Sequence, residues 1–251
     1  MNLLFNRSLI ITASLILFWL LLIEMTGVPP YILPSPGDVA ISIYNNYDVL
    51  ASHASVTFIE ILAGLFLGVT LGTATAIILS ISTQIRHWLL PVLLVTQTLP
   101  VFAIAPLLVL WLGYDIASKI AMATIIIFFP VTVSLLDGLR SVQQDYLDLA
   151  KIMEGKPLSV FQYISIPSSL PSFASGVKVA TSVAPIGAVV GEWVGSSEGL
   201  GFLMLHSNGR MQTDMMFSAL LVLSIIAIFM YFIINGFMDF ILSKYSFHKT
   251  L

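Results

Sequence analysis

The sequence predicts an all-α integral membrane protein: about six transmembrane helices in a single domain over residues 1–251, with a cytoplasmic helical hairpin at about 140–168. Three observations carry this. Only 9% of the residues are Asp, Glu, Lys or Arg, against about 25% in a soluble chain, too few to clothe a surface in water. The mean hydropathy is +0.99. Apolar runs of about 20 residues recur, each able at 1.5 Å per residue to cross a hydrocarbon core of about 30 Å.

The first run, Leu9 to Met25, follows Arg7 and is longer than the apolar region of a signal peptide. What comes after it is "TGVPPYILPSP", with no small-x-small cleavage site, so it reads as a retained span. Further runs cover Ser55 to Ile81, Leu89 to Leu112, Ile116 to Leu136, Leu170 to Val190 and Met215 to Leu242. The third span contains Pro91, Pro100 and Pro106. Each removes a backbone donor, which lipid tolerates only where protein or water satisfies the freed carbonyls, so this span is expected to be broken and buried in protein.

Orientation follows from the basic residues. With the N-terminus inside, Arg7, Arg86, Arg140, Lys151, Lys156, Lys244 and Lys249 fall on the cytoplasmic side and only Lys119 and Arg210 outside. Both termini are therefore expected in the cytoplasm. Trp19, Trp111 and Trp193 then lie near the outer interface and Trp88 near the inner one, as an aromatic belt requires.

Between the fourth and fifth spans stand Asp137, Arg140, Asp145, Asp148, Lys151, Glu154 and Lys156. At about 2.5 to 3.5 kcal/mol per charge at a helix centre, their burial in lipid would cost on the order of 20 kcal/mol, so the segment stays in water. Tyr146, Leu149, Ala150 and Met153 recur at i, i+3, i+4 and i+7 and share one helical face, with Asp145, Asp148 and Lys151 turned away. Gly155 suits the left-handed position after a helix end. Pro157 suits the first turn of a second helix carrying Val160, Phe161 and Ile164, which Ile166 and Pro167 would stop. The pattern is helix, turn, helix, parallel to the membrane. Its apolar face fits a pair resting on lipid, a hairpin packed on its own bundle, or a docking element.

The stretch resembles the EAA loop, E-A-A-x3-G-x9-I-x-L-P, of the permease subunits of type I ATP-binding-cassette importers, the binding-protein-dependent transport family. Asp148, Leu149 and Ala150 stand at E-A-A, and Ile164, Ile166 and Pro167 at I, L and P; Glu154 holds the glycine position and Gly155 follows it. "LPSPGDV", "TLPVFAIAPLLVLWLG", "SLPSFASGVKVA" and "SSEGLGFLM" extend the resemblance over most of the chain. "APIGAVVGEWVG" and "NGRMQTDMMFSALLVL" are similar to permeases for pyrimidine precursors of thiamine, within a branch that also carries sulfonates, taurine and nitrate.

The resemblance implies a bacterial inner-membrane permease that pairs with a second copy, beneath an extracytoplasmic binding protein and above a cytoplasmic ATPase dimer. It also implies that Asp148, Leu149, Ala150, Met153, Gly155, Pro157, Ile164, Ile166 and Pro167 couple to the ATPase. ATP and Mg2+ would then belong to the partner subunit, with no cofactor on this chain.

Ionisable or polar groups at membrane depth are functional candidates by default. Gln97 and Thr98, beside Pro100, and Glu192, after Pro185, Gly187 and Gly191 where the helix is expected to be interrupted, are pathway candidates. Helix packing for Gln97 and Thr98, and a belt Trp193 beside a solvated Glu192, are the rival readings. Glu60 and Lys178 are expected to snorkel or to pair between helices.

Several chemistries are excluded or unsupported. The chain has no cysteine, hence no disulfide, thiolate metal site or Cys nucleophile. His53, His87, His206 and His248 show no metal-ligand spacing, no G-x4-G-K-[ST] loop exists to cradle a nucleotide, and no basic stripe suggests nucleic acid. An ion-gradient transporter using Glu60, Lys178 or Glu192, and a membrane-embedded enzyme, are the alternatives from other classes. The hairpin speaks against the first, and the lack of a paired carboxylate, His cluster or Ser/His site against the second.

Overall fold

The computed structural model describes residues 2–245, with side chains from Ile10 to Lys244; His248 and Lys249 lie outside it, as does the side chain of Arg7. Every regular element among the described residues is a helix, and none is a strand. Helix α1 (Asn2–Thr26) leads to α2 (Pro36–Asn45). The "LPSPGDV" fragment builds that start as a reciprocal cap. Ser35 Oγ accepts from the Asp38 N–H at 3.1 Å, Asp38 Oδ2 accepts from the Ser35 N–H at 3.1 Å, and Pro36 occupies the first turn.

The core is made by α3 (Tyr47–Ile81), α6 (Ile116–Arg140) and α9 (Ile166–Trp193), with α11 (Thr213–Tyr245) laid against them. Without a hydrophobic driving force in lipid, helices hold together by close packing of small residues. Gly64, Gly68 and Gly72, four apart on α3, meet Ala123, Ile127 and Val131 of α6. A Cβ on Gly64 would stand 2.5 Å from that of Ala123. A Cβ on Gly187 of α9 would stand 2.6 Å from the Cα of the same Ala123.

Among the described residues, four helices are long and apolar enough to cross a membrane: α3, α6, the rod Pro157–Trp193 and α11. Helices α4 (Thr83–Thr96) and α5 (Val101–Leu112) meet at 99° and make a fifth if counted as one crossing. Within α1, the described apolar stretch is the shorter Ile10–Thr26.

Three expectations need correcting. The third span does break, at Gln97 to Pro100, but α4 has no buried residue and the break is exposed on this chain. Pro91 and Pro106 sit inside helices, and Pro100 makes the break by fixing an extended residue ahead of α5. Pro185, Gly187 and Gly191 do not interrupt α9, because the glycines serve close approach to α6.

Ile166 and Pro167 do not stop the second hairpin helix either. The chain runs from α8 (Pro157–Val160) through a π turn (Phe161–Ser165) into α9, one helical rod of 37 residues, Pro157–Trp193. Pro167 has no N–H to give the carbonyl one turn back. The wider turn, in which the Ile166 N–H reaches the Phe161 carbonyl, absorbs the mismatch.

Lys119, assigned to the outer side, is buried at 1% exposure in the first turn of α6.

Candidate functional site

The hairpin is built by α7 (Gln144–Ile152) and the start of the 37-residue rod. The Gly155 N–H reaches the Ala150 carbonyl at 2.8 Å and the Glu154 N–H the Lys151 carbonyl at 3.0 Å, the paired bonds of a Schellman turn. Its left-handed residue is Glu154, φ 54°, not Gly155. That corrects the reading of Gly155, and the reason lies in the register. The motif's glycine position is the left-handed one, and here a glutamate holds it. Gly155 is needed instead for room, since a Cβ there would stand 3.0 Å from the Ala150 carbonyl oxygen and 3.3 Å from Val160 Cγ2.

Asp148 is held on the polar face by Lys151 Nζ at 2.9 Å and by Gln144 Nε2 at 3.1 Å, both to Oδ1. Those two hydrogen bonds, Lys151 first, hold its carboxyl below the usual carboxylate range. Ala150 is buried, but Tyr146, Leu149 and Met153 stand exposed. Ile152, at 79%, and Leu158 and Tyr163 join them. Reading one face by strict period missed these last three, and the signal that could have found them is a loop too apolar for water on more than one side. Met153 is the C-cap of α7, Pro157 opens α8, Ile164 lies in the π turn, and Ile166 and Pro167 begin α9. The hairpin is thus a rigid, capped element with large unpartnered side chains.

Gln97 and Thr98 stand exposed at the α4–α5 elbow. One turn on, Phe102 packs on Trp193, ring centroids 5.8 Å apart. The elbow and the carboxyl end of α9 therefore touch, although Glu192 itself points inward.

Glu192 is 1% exposed. Its Oε1 accepts from the Thr57 hydroxyl at 2.6 Å and its Oε2 from the Gly201 N–H, while the Glu60 carboxyl lies beside it. Glu60 Oε2 is buried without a partner among the described residues. Lys119, packed against Gly191 next to Glu192, donates its Nζ hydrogens to the carbonyls of Tyr114, Asp115 (3.1 Å) and Gly195 (3.1 Å). Glu60 does not snorkel; it belongs to this buried cluster. Lys178 pairs with Asp239 of α11 at 2.7 Å, a link between helices, and Asn235 Nδ2 donates to the other Asp239 oxygen at 3.0 Å.

Residues 64–246 match the family model described as "Binding-protein-dependent transport system inner membrane component". The chain belongs to this family. A "Probable ABC transporter permease protein" of Haemophilus influenzae is 51% identical over 229 residues, 91% of this chain and 94% of the relative. The "Formylaminopyrimidine transport permease protein ThiX" of Halalkalibacterium halodurans is 35% identical over 215 residues, 85% of this chain and 86% of its own. An inward-facing structure of the MetNI methionine ABC transporter superposes with a TM-score of 0.67 at 14% identity, covering 78% of this chain and 97% of that one. The fold is therefore that of an ABC importer permease. Membership in this transport family speaks for a transport subunit rather than an enzyme.

Proposed function

We propose that this permease carries a small pyrimidine of the hydroxymethylpyrimidine type, a thiamine precursor, from an extracytoplasmic binding protein into the cytoplasm. It works as a homodimer in the inner membrane, its termini and hairpin in the cytoplasm. ATP and Mg2+ are handled by an ATPase dimer that grips the hairpin. ATP-driven closure of that dimer pushes on Asp148 to Pro167 and alternates the outward and inward openings.

The observation that carries the importer reading is the capped hairpin with its unpartnered Leu149, Ile152, Met153 and Leu158, seated at the end of a helix that runs on through the core. Burial of Lys119 supports the orientation, because Arg210 is then the one solvated cation of the two assigned outside. The substrate reading rests on the formylaminopyrimidine relative and on the "APIGAVVGEWVG" and "NGRMQTDMM" fragments.

Calorimetry on the cognate binding protein tests the substrate. Binding of hydroxymethyl- or formylaminomethyl-pyrimidine is expected. Binding of taurine, an alkanesulfonate or nitrate in its place would move the permease to the sulfonate and nitrate branch and leave the importer reading intact.

A further inference from the structure

Helix α10 (Leu200–Gly209) begins at Gly199 without a capping side chain of its own. A helix start exposes N–H groups that need acceptors, commonly a Ser, Thr, Asp or Asn at its own N-cap. Here the acceptors come from other helices. The Gly199 N–H donates to His53 Nδ1 at 3.0 Å, the Leu200 N–H to Thr57 Oγ1 at 2.8 Å, and the Gly201 N–H to Glu192 Oε2.

The loop is shaped around that carboxylate. Gly199 has φ 102°, and a Cβ on Gly201 would stand 2.7 Å from Glu192 Oε2. Helix α10 can therefore complete its first turn only while α3 and α9 hold their present spacing, which the Gly187 and Gly64 contacts through α6 fix. Glu192 sits at one end of the 37-residue rod whose other end, about 55 Å away at 1.5 Å per residue, is the hairpin.

We propose that Glu192 is a positioning residue for transport. It pins α10 to the α3–α6–α9 core, so that a partner docking on the α10 end of the bundle and a partner docking on the hairpin are mechanically linked through one helix. This rests on the importer reading, in which those partners are the binding protein and the ATPase. The "GEWVG" and "EGLGF" fragments thereby form one device, a carboxylate and the glycine-lined loop that wraps it.

The test uses the assembled transporter with its ATPase and binding protein. The chain has no cysteine, so a single spin label can be placed at Leu205→Cys on α10 or at Ser159→Cys on the hairpin. In Glu192→Gln a single oxygen remains, so the side chain can no longer accept from both the Thr57 hydroxyl and the Gly201 N–H, and one of the two contacts is lost. The expected result is a mobile Leu205 label, an unchanged Ser159 label, retained ATPase co-purification and at least tenfold less stimulation of ATP hydrolysis by loaded binding protein. Gly201→Ala, which crowds the carboxylate without altering charge, is expected to do the same more weakly. An ordered Leu205 label with full stimulation in Glu192→Gln overturns the pin. Loss of membrane insertion and ATPase binding together would also overturn it, by making Glu192 a folding residue only. If the unaltered permease fails to bind its ATPase, the importer reading falls, while release of the Leu205 label by Glu192→Gln still reports the pin.

Discussion

Glu154 closes the hairpin turn in a left-handed conformation, φ 54°, which costs a non-glycine residue about 1 to 2 kcal/mol. Glu154→Gly should relieve most of this, a gain of about 1 kcal/mol or a factor of about 5 in local opening. Hydrogen exchange is expected to show slower exchange of the Gly155 N–H in that variant; faster exchange would mean the glutamate is making a contact that offsets its strain. Gly155→Val should loosen the turn by crowding Val160 and the Ala150 carbonyl rather than by backbone strain. The glycine one place past the motif position was visible in the sequence. Its role was not, because only the Schellman bonds reveal which of two adjacent residues turns left-handed.

At the same scale, Lys178 and Asp239 link α9 to α11. Removing one partner leaves a charge at membrane depth, so Lys178→Met should destabilise by about 1 to 3 kcal/mol, discounted from a fully buried pair because Asp239 is more than half exposed. The double variant Lys178→Met, Asp239→Leu should recover most of the loss in a thermal-stability assay. Equal losses in single and double variants would show that the pair contributes nothing by itself.

Among the elements, apolar periodicity located the helices that cross the membrane but not how they meet. The Gly64, Gly68, Gly72 stripe is plain in "GLFLGVTLG", yet nothing in a single sequence says which helix it receives. Prolines misled in both directions. Pro167 and Pro185 lie in continuous helix, the first with a π turn just before it, while Pro100 alone marks the elbow. Gly68→Leu should block the approach of α3 to α6, where even a Cβ would stand 2.5 Å from Ile127 Cγ2. Overpacking of this kind costs about 1 to 3 kcal/mol or more, and the expected readout is loss of monodisperse protein in detergent. A well-behaved Gly68→Leu variant would contradict the three-helix core.

For the whole molecule, the hairpin was legible because charge forbids it the bilayer and its apolar period demands a partner. The buried group of Glu60, Glu192 and Lys119 was not, because these residues lie far apart in sequence and a solvated end charge was one of the open readings of Glu192. Topology follows from the same charges. A cysteine at Ser159, exposed in the hairpin, should resist an impermeant thiol reagent in intact cells and react in inverted vesicles; labelling in intact cells would reverse the orientation.

The central claim is that the hairpin is where ATP hydrolysis on a partner chain drives this permease. Ala150 is buried within its own chain, so the cleaner probes are Ile152 and Met153, 79% and 73% exposed. An introduced carboxylate buried in a packed contact costs several kcal/mol. The decisive measurement is ATP-driven uptake of the binding protein's ligand into vesicles carrying the assembled transporter, with Ile152→Glu, Met153→Glu compared against the parent. The double variant is expected to insert and dimerise normally, to lose its ATPase on purification and to take up no ligand. Full ATP-dependent uptake by the double variant, or uptake by the parent on a proton gradient with no ATPase present, would contradict it.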